Sequence, residues 1–381
     1  MDKIDINEPV VRPRIYSATK VLLEDIVPLE TPFSVHIDVC SVCNFKCSFC
    51  FQADENKQEE GFTLGLMDLD LFKKITKDLL EFPGRISKVK IGNHGEPTLH
   101  KLLPTFIKYL RKKDVCDTVE IFTNGSKLKP KFNRDLVDAG LQRINISLEG
   151  LTSERYLEIA DVKMDMNELQ ENIQDLYDYK SSVGSDLSIY IKIVDNTAPL
   201  NIDEKSSESF ETFQFNDKER KYFYDTYSKM CDEIYIESIV PQWSQTQDDK
   251  QNIEVVKDDG VERTGMYDQK IKNYKEICPF TFMYLHINWD GSTSPCTLDW
   301  PRKVLIGNAQ NESAKEIWNG EKLAELQRAQ LEGKRHKIDF CNDCSAPMVC
   351  CDEFLDPQAD KIREKMFPDI DKGAPNQWVG E

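Results

Sequence analysis

Cys43-Asn-Phe-Lys-Cys47-Ser-Phe-Cys50 carries three cysteines, with three and then two residues between them. Thiolates are the usual protein ligands of iron–sulfur clusters. Three of them hold three irons of a [4Fe–4S] cube and leave the fourth open to a substrate or cofactor. Cys40 precedes the stretch, and Cys40, Cys43, Cys47 and Cys50 would also make a four-thiolate zinc site. The motifs farther along the chain favour iron.

An apolar strand at 33–39 feeds the cysteine loop. Further strands are expected at 88–92, 118–123, 143–148, 187–194 and 233–239. Helical patterns at 67–80, 102–112, 131–138, 153–159, 167–180 and 217–230 alternate with them. Val89 and Ile91 share a strand face, as do Ile144, Ile146 and Leu148, and Ile189, Ile191 and Ile193. Tyr190 and Lys192 point the opposite way. Strands alternating with helices imply an α/β fold with a parallel sheet and right-handed crossovers, whose ligands gather at the C-terminal strand ends. Residues 1–32 read as an irregular N-terminal arm, 33–240 as the main domain and 241–276 as a polar linker. Residues 277–351 form a small cysteine-rich module, and 352–381 a polar tail.

At 381 residues the chain suits one large domain, or one large and one small. The N-terminus lacks the basic start and apolar core of a secretion signal, and no apolar run reaches about 18 residues, so neither export nor a membrane span is expected. A cytoplasmic location is therefore expected, in which twelve cysteines point to metal ligation rather than disulfides. A net charge of −18 argues against nucleic acid as a partner, because such binding rests on lysines and arginines displacing counterions.

The cysteine stretch resembles the signature of the radical S-adenosylmethionine (SAM) enzymes, and Phe49, just before the last cysteine, fits the same pattern. The resemblance implies that Cys43, Cys47 and Cys50 hold a [4Fe–4S] cluster whose open iron chelates SAM. It also implies that an electron from the cluster cleaves SAM to a 5′-deoxyadenosyl radical. Ile91-Gly-Asn93-His94-Gly95-Glu96-Pro97 resembles the family's Gly-Gly-Glu-Pro loop, with His94 in place of the first glycine. Asn93, Gly95, Glu96 and Pro97 are therefore expected beside SAM. Thr123-Asn124-Gly125 resembles another family turn, and Ser147-Leu-Glu149-Gly150 resembles the segment near the SAM ribose. Plain strand-to-helix turns would use the same residue types. The implied fold is a partial (β/α)6 TIM-like barrel.

Cys278, Gly291, Cys296, Cys341 and Cys344, with Gly307-Asn308 and Glu316-Ile-Trp-Asn319 between, resemble the SPASM and twitch modules that carry auxiliary clusters. SPASM continues with a cysteine where this chain has Phe354, and no cysteine occurs after Cys351. The reading is one auxiliary [4Fe–4S] cluster on Cys278, Cys296, Cys341 and Cys344. It leaves open whether Cys350 or Cys351 replaces a ligand. Cys40, Cys116 and Cys231 read as buried thiols.

The gaps between these cysteines resemble those of twitch-type aminocyclitol dehydrogenases. The expected activity is oxidation or epimerisation of a small hydroxylated substrate (an aminocyclitol, sugar or nucleotide-sugar), served by a flavodoxin- or ferredoxin-type reductant. Alcohol oxidation also needs a base. The candidates are His94, Lys192, Glu237, Gln242 and Asp299, with Trp243 and Trp300 at the rim. The alternative is a maturase acting on a peptide or protein. The third reading is a non-catalytic zinc protein.

Overall fold

Branched apolar residues at every second position bury one face of each central strand against helices, as both-sided burial of a parallel sheet requires. The structure, a computed structural model, describes residues 9–15, 21–195, 214–240, 263–342 and 344–368. Strands β1 (Ser34–Ile37), β2 (Ile86–Ile91), β3 (Cys116–Thr123), β4 (Arg143–Leu148), β5 (Ser188–Asp195) and β6 (Glu233–Ser238) pair in chain order, all parallel. Between them run α1 (Leu69–Asp78), α2 (Leu103–Lys113), α3 (Pro130–Asp138), α4 (Ser153–Ala160), α5 (Met166–Ser182) and α6 (Asp217–Tyr227). Four of these six helices, α1, α4, α5 and α6, start where a polar side chain satisfies the first free amides. Asp68 accepts from the amides of Asp70 and Leu71, and Asn216 forms a reciprocal cap with Glu219. Val89, Ile91, Ile144, Ile146, Ile189 and Ile191 are fully buried on the helix side.

The sheet does not end with these six strands. The arm expected to be irregular adds Val10–Val11 beside β6, in parallel register with Glu233 and Ile234. At the other edge β7 (Tyr284–Ile287) pairs parallel with β1, and β8 (Ser292–Ser294) and β9 (Gly307–Asn308) extend it antiparallel. Ten strands thus form one sheet, and the cysteine-rich segment is continuous with the main domain. An open sheet edge exposes unpaired backbone groups, which explains why both edges are covered.

The arm and the polar tail also pack together. Leu23 and Val27 join Phe282, Leu331, Leu355 and Ile362 in an apolar cluster, and the tail folds into a helix at Ala359–Met366. Of the expected linker, residues 263–276 are described. They hold a short antiparallel pair, Arg263–Thr264 with Lys270–Ile271, and Met266 donates its amide to the Val349 carbonyl. Trp300 is not at a rim: it is fully buried and stacks on Phe51, with centroids 4.9 Å apart. Gln242 and Trp243 lie outside the described residues.

One buried carboxylate joins three of these parts. Asp38, just past β1, meets His94 Nδ1 at 2.8 Å and His286 Nε2 of β7 at 3.1 Å. It also accepts the His94 amide at 3.2 Å. Burial opposes its charge, yet His94 and His286 hold the carboxyl far below the usual carboxylate range. Removing the carboxylate would leave two buried imidazole groups without their partner, at a cost of about 3 kcal/mol or more. Asp38→Ala is expected to lower the thermal unfolding midpoint by several degrees and to speed proteolytic release of the segment after residue 276. An unchanged midpoint would show that the bracket carries no stability.

Candidate active site

The cysteine loop is pinned on all sides by backbone and side-chain hydrogen bonds. The amides of Lys46 and Ser48 donate to the carbonyls of Ala160 and Ile159 at the end of α4. Glu96 donates its amide to the Val42 carbonyl at 2.9 Å, and Asn124 Nδ2 donates to Asn44 Oδ1 at 3.1 Å. Gln52 donates to the carbonyls of Ser41 and His94. Gly95 is pressed against this loop: a Cβ there would stand 2.4 Å from the Cys40 carbonyl oxygen and 2.7 Å from that of Val42. Only glycine fits so close an approach.

Glu96 is buried, and its carboxylate takes four hydrogen bonds. Oε1 accepts from the Thr98 amide and hydroxyl and from the Thr123 hydroxyl; Oε2 accepts from the Asn124 amide at 2.7 Å. These bonds tie the loop after β2 to the end of β3. Burial raises the Glu96 carboxyl, against the pull of the same donors. Gly92 has a positive φ of 83° and lets the Pro97 ring close over it. Asn93 Nδ2 reaches across to the Thr297 carbonyl at 2.9 Å.

Cys43, Cys47 and Cys50 are half-buried and share an electrostatic neighbourhood with one another and with Glu149. Burial pushes the Cys43 and Cys50 thiols up to about 12, with further increments from Glu149 on both, from Glu96 and Cys40 on Cys43, and from Cys43 on Cys50. Neutral thiols so placed become thiolates when a cation-rich cluster compensates their charge, so the three fit an iron–sulfur cube. Cys40 stands apart, donating its thiol to the Val42 carbonyl. Glu149 is buried beside Cys47, raised by burial and lowered by Lys192. Ser147 on β4 is the register partner of Lys192 on β5. Phe49 packs against Ile159, Val194 and Ile239 at the ends of β5 and β6.

A second sulfur cluster lines a pocket in the C-terminal segment: Cys278, Cys296, Cys341 and Cys344, with Phe280, Phe340 and Pro347 around them. Arg335 is buried, and its Nη1 donates to the carbonyls of both Cys341 and Cys344 at 2.9 Å, which fixes the Cys-x-x-Cys turn. Burial and the neighbouring thiols push all three of Cys278, Cys296 and Cys341 up. The set suits a fully ligated cluster. Neither Cys350 nor Cys351 lines this pocket. Cys351 gives its carbonyl to Lys275, and Cys350 lies near Arg14 and Glu237 as well as Cys344.

The candidate bases divide. His94 uses both ring nitrogens, Nδ1 on Asp38 and Nε2 on the Thr297 carbonyl at 2.6 Å, and is buried. Asp299 accepts from the amides of Lys303 and Val304 and from the Ser294 hydroxyl; burial pushes it up to about 6. His94 joins separate segments, whereas Asp299 braces its own loop between residues 294 and 304. Lys192 and Glu237 remain together on the inner sheet face, 3.1 Å apart, with the Tyr190 hydroxyl and Arg14 on the same carboxylate. Burial opposes the Glu237 charge, and Lys192 and Arg14 outweigh it and hold the carboxyl low. Arg14, His36, Asp38 and Lys90 were not among the expected site residues. The alternation that singles out Lys192 applies equally to Lys88 and Lys90, which sit opposite Val89 and Ile91.

Residues 37–197 match the radical SAM superfamily, and residues 278–345 match the SPASM iron-sulfur cluster-binding domain. A probable GTP 3′,8-cyclase of Methanococcus vannielii is 30% identical over 225 residues, spanning 50% of this chain and 73% of that protein. The chain belongs to the radical SAM superfamily. It is a radical SAM enzyme whose cofactors are a [4Fe–4S] cluster with SAM and an auxiliary iron–sulfur cluster. The tungsten-containing aldehyde ferredoxin oxidoreductase cofactor-modifying protein of Pyrococcus furiosus is 22% identical over 347 residues, spanning 83% of this chain and 88% of that protein. The fold is shared with BtrN, solved in complex with AdoMet and 2-DOIA, at a TM-score of 0.51 and 17% identity. The match covers 85% of this chain and 97% of BtrN. The chain spans 40% of the length of the first curated relatives it matches. No helix among the described residues is long and apolar enough to cross a membrane.

Gly95→Ala is expected to push the Glu96 loop off the cysteine loop. Iron in the reconstituted protein would fall from about eight atoms toward about four, the SPASM site keeping its share. Full iron content in this variant would show that the contact at Gly95 is not needed to form the site.

Proposed function

We propose that this enzyme oxidises or epimerises a small hydroxylated substrate held on the inner face of the sheet. The observation that carries the reading is the pair of separate sulfur sites: a three-cysteine loop and a four-cysteine pocket. They are joined through Asn93 and His94, which both bond the carbonyl of Thr297, next to Cys296. When bound, SAM and the first cluster supply a hydrogen-abstracting 5′-deoxyadenosyl radical, and the auxiliary cluster supplies a one-electron acceptor.

The chain's residues do the rest. Cys43, Cys47 and Cys50 hold the first cluster, and Cys278, Cys296, Cys341 and Cys344 hold the second. Glu96, kept in place by Thr98, Thr123 and Asn124, presents its carboxylate to the SAM ammonium, with Asn93, Gly95 and Pro97 shaping that loop. Ser147 and Glu149 lie toward the SAM ribose, and Phe49 and Asn124 border the cysteine loop. His94 and Asp299 hold the walls between the two sulfur sites. Oxidation of a hydroxyl-bearing carbon sheds a proton, and the ionised Glu237 Oε2, bridged by Lys192, receives it. The electron that starts the reaction comes from an outside donor of the flavodoxin or ferredoxin type. The matched spans support a barrel unit over 33–240 and an auxiliary unit over 277–351.

Two measurements test this. Replacing Cys43, Cys47 and Cys50 together with alanine should lower bound iron from about eight atoms to about four. Glu96→Ala should abolish 5′-deoxyadenosine formation from SAM under reducing conditions. Retained cleavage in that variant would remove Glu96 from the SAM site, and iron near about four in the unaltered enzyme would remove the electron acceptor.

A further inference from the structure

The inner face of the sheet holds more positive than negative charge, in a chain whose net charge is −18. On β2 to β6 the inward carboxylates are Glu120, Glu233 and Glu237, and each is bridged to a cation. Lys88 meets Glu120 at 2.9 Å, Arg143 meets Glu233 at 2.6 Å, and Lys192 and Arg14 share Glu237. Lys90 is left over. Its Nζ makes no hydrogen bond or ion pair with a described residue; it lies over the Phe122 ring, 5.5 Å from the centroid. Arg14 lies over the same ring at 4.9 Å.

The neighbour of Lys90 lacks a partner too. His36 on β1 is the register partner of Lys90 on β2, so both side chains stand side by side on the inner face. His36 is 6% exposed, and its Nε2 has no hydrogen-bond partner among the described residues. A buried polar nitrogen without a partner is costly, and a half-buried ammonium without a counter-charge beside it adds to that cost. Burial, with the like charges of Lys88, Arg14 and Arg143 and against the pull of Glu120, brings Lys90 down to about 7. Glu120, the register partner of Lys90 on β3, attracts the ammonium but is already bridged to Lys88 and bonded by Asn145, so His36 Nε2 and Lys90 Nζ, side by side, mark a place for a further acceptor.

We propose that the substrate carries an anionic group, phosphate or carboxylate, seated between His36 and Lys90 on the inner face of β1 and β2. This rests on the oxidoreductase or epimerase reading and narrows its substrate. The seat favours a phosphorylated or carboxylated polyol and disfavours an aminocyclitol, whose ammonium would face Lys90. Lys192, rather than Lys90, is the cation beside the cysteine loop, where it lowers the Cys47 thiol against burial. His36 donates from Nε2, Lys90 supplies the charge, and Arg14 lies over the same Phe122 ring as Lys90.

The test is anaerobic calorimetry on the reconstituted, SAM-loaded enzyme, titrated separately with orthophosphate and with acetate. At least one anion is expected to bind. Lys90→Gln should weaken that binding by about tenfold or more, the loss of one charge-assisted hydrogen bond, and Lys90→Arg should restore most of it. Iron content and circular dichroism of Lys90→Gln establish that it is folded. Tighter orthophosphate identifies a phosphorylated substrate, and acetate of equal or greater affinity a carboxylated one. Binding of neither anion, or equal binding by Lys90→Gln, overturns the proposal. In parallel, 5′-deoxyadenosine formation by the unaltered enzyme tests the parent reading. Its absence beside Lys90-dependent anion binding would sink the radical chemistry and leave the anion seat standing.

Discussion

Asp38 is the carboxylate on which the geometry of both sulfur sites depends. It sits at the end of the first central strand, fully enclosed, and takes one histidine from the loop after β2 and one from the C-terminal strand. A charge buried so deeply persists only where its partners outweigh desolvation, and here two imidazoles do so. The consequence is positional. The loop that presents Glu96 cannot move independently of β7, and β7 leads within a few residues to Cys296. The Thr297 carbonyl, bonded by both His94 and Asn93, repeats the coupling on the far side of that loop.

A second constraint is the close approach at Gly95. The backbone of the Glu96 loop lies against the backbone of Cys40–Val42, and a side chain there would collide with main-chain atoms that cannot yield. With the four hydrogen bonds on Glu96, this makes the cysteine loop, the Glu96 loop and the end of β3 one rigid corner. Such preorganisation matters for radical chemistry, because a reactive intermediate must meet its substrate in one geometry and little else. The polar inner face beside that corner is costly to maintain. Three carboxylates there are neutralised by cations from other strands and from the arm, and the charge left on Lys90 is the part of the pattern that a folding argument alone does not explain.

Much of this was legible from residue order. Alternation located all six central strands within two or three residues, because burying one face of a parallel sheet leaves a period of two in the sequence. The cysteine spacing and the Gly-Glu-Pro loop singled out residues that the structure brings together in one corner, since ligands on one short loop are close in sequence as well as in space. The arm reads as irregular and the tail as polar, yet together they supply an edge strand and a shared apolar cluster. Their apolar residues are few and scattered, and only their meeting in space makes a core. His94 and Asp299 looked like bases because of residue type; the partner of His94, Asp38, comes from elsewhere in the fold, while Asp299 is taken up by the amides of its own loop at 303 and 304. Trp300 looked like a rim residue and is core, stacked on Phe51 from the cysteine loop.

The sequence by itself determined the α/β class, the order of the parallel strands, and which seven cysteines form two sets. Each of these is a local property: periodicity within a strand, or ligand spacing within a loop. Only the tertiary structure decided that the auxiliary segment continues the sheet through β7, that His94 is tied to Asp38 and Thr297, and that Arg14, His36 and Lys90 face the same wall. Those outcomes depend on which side chains meet across long separations. Burial, charge neutralisation and hydrogen-bond satisfaction are settled between such partners, and sequence distance carries no record of them.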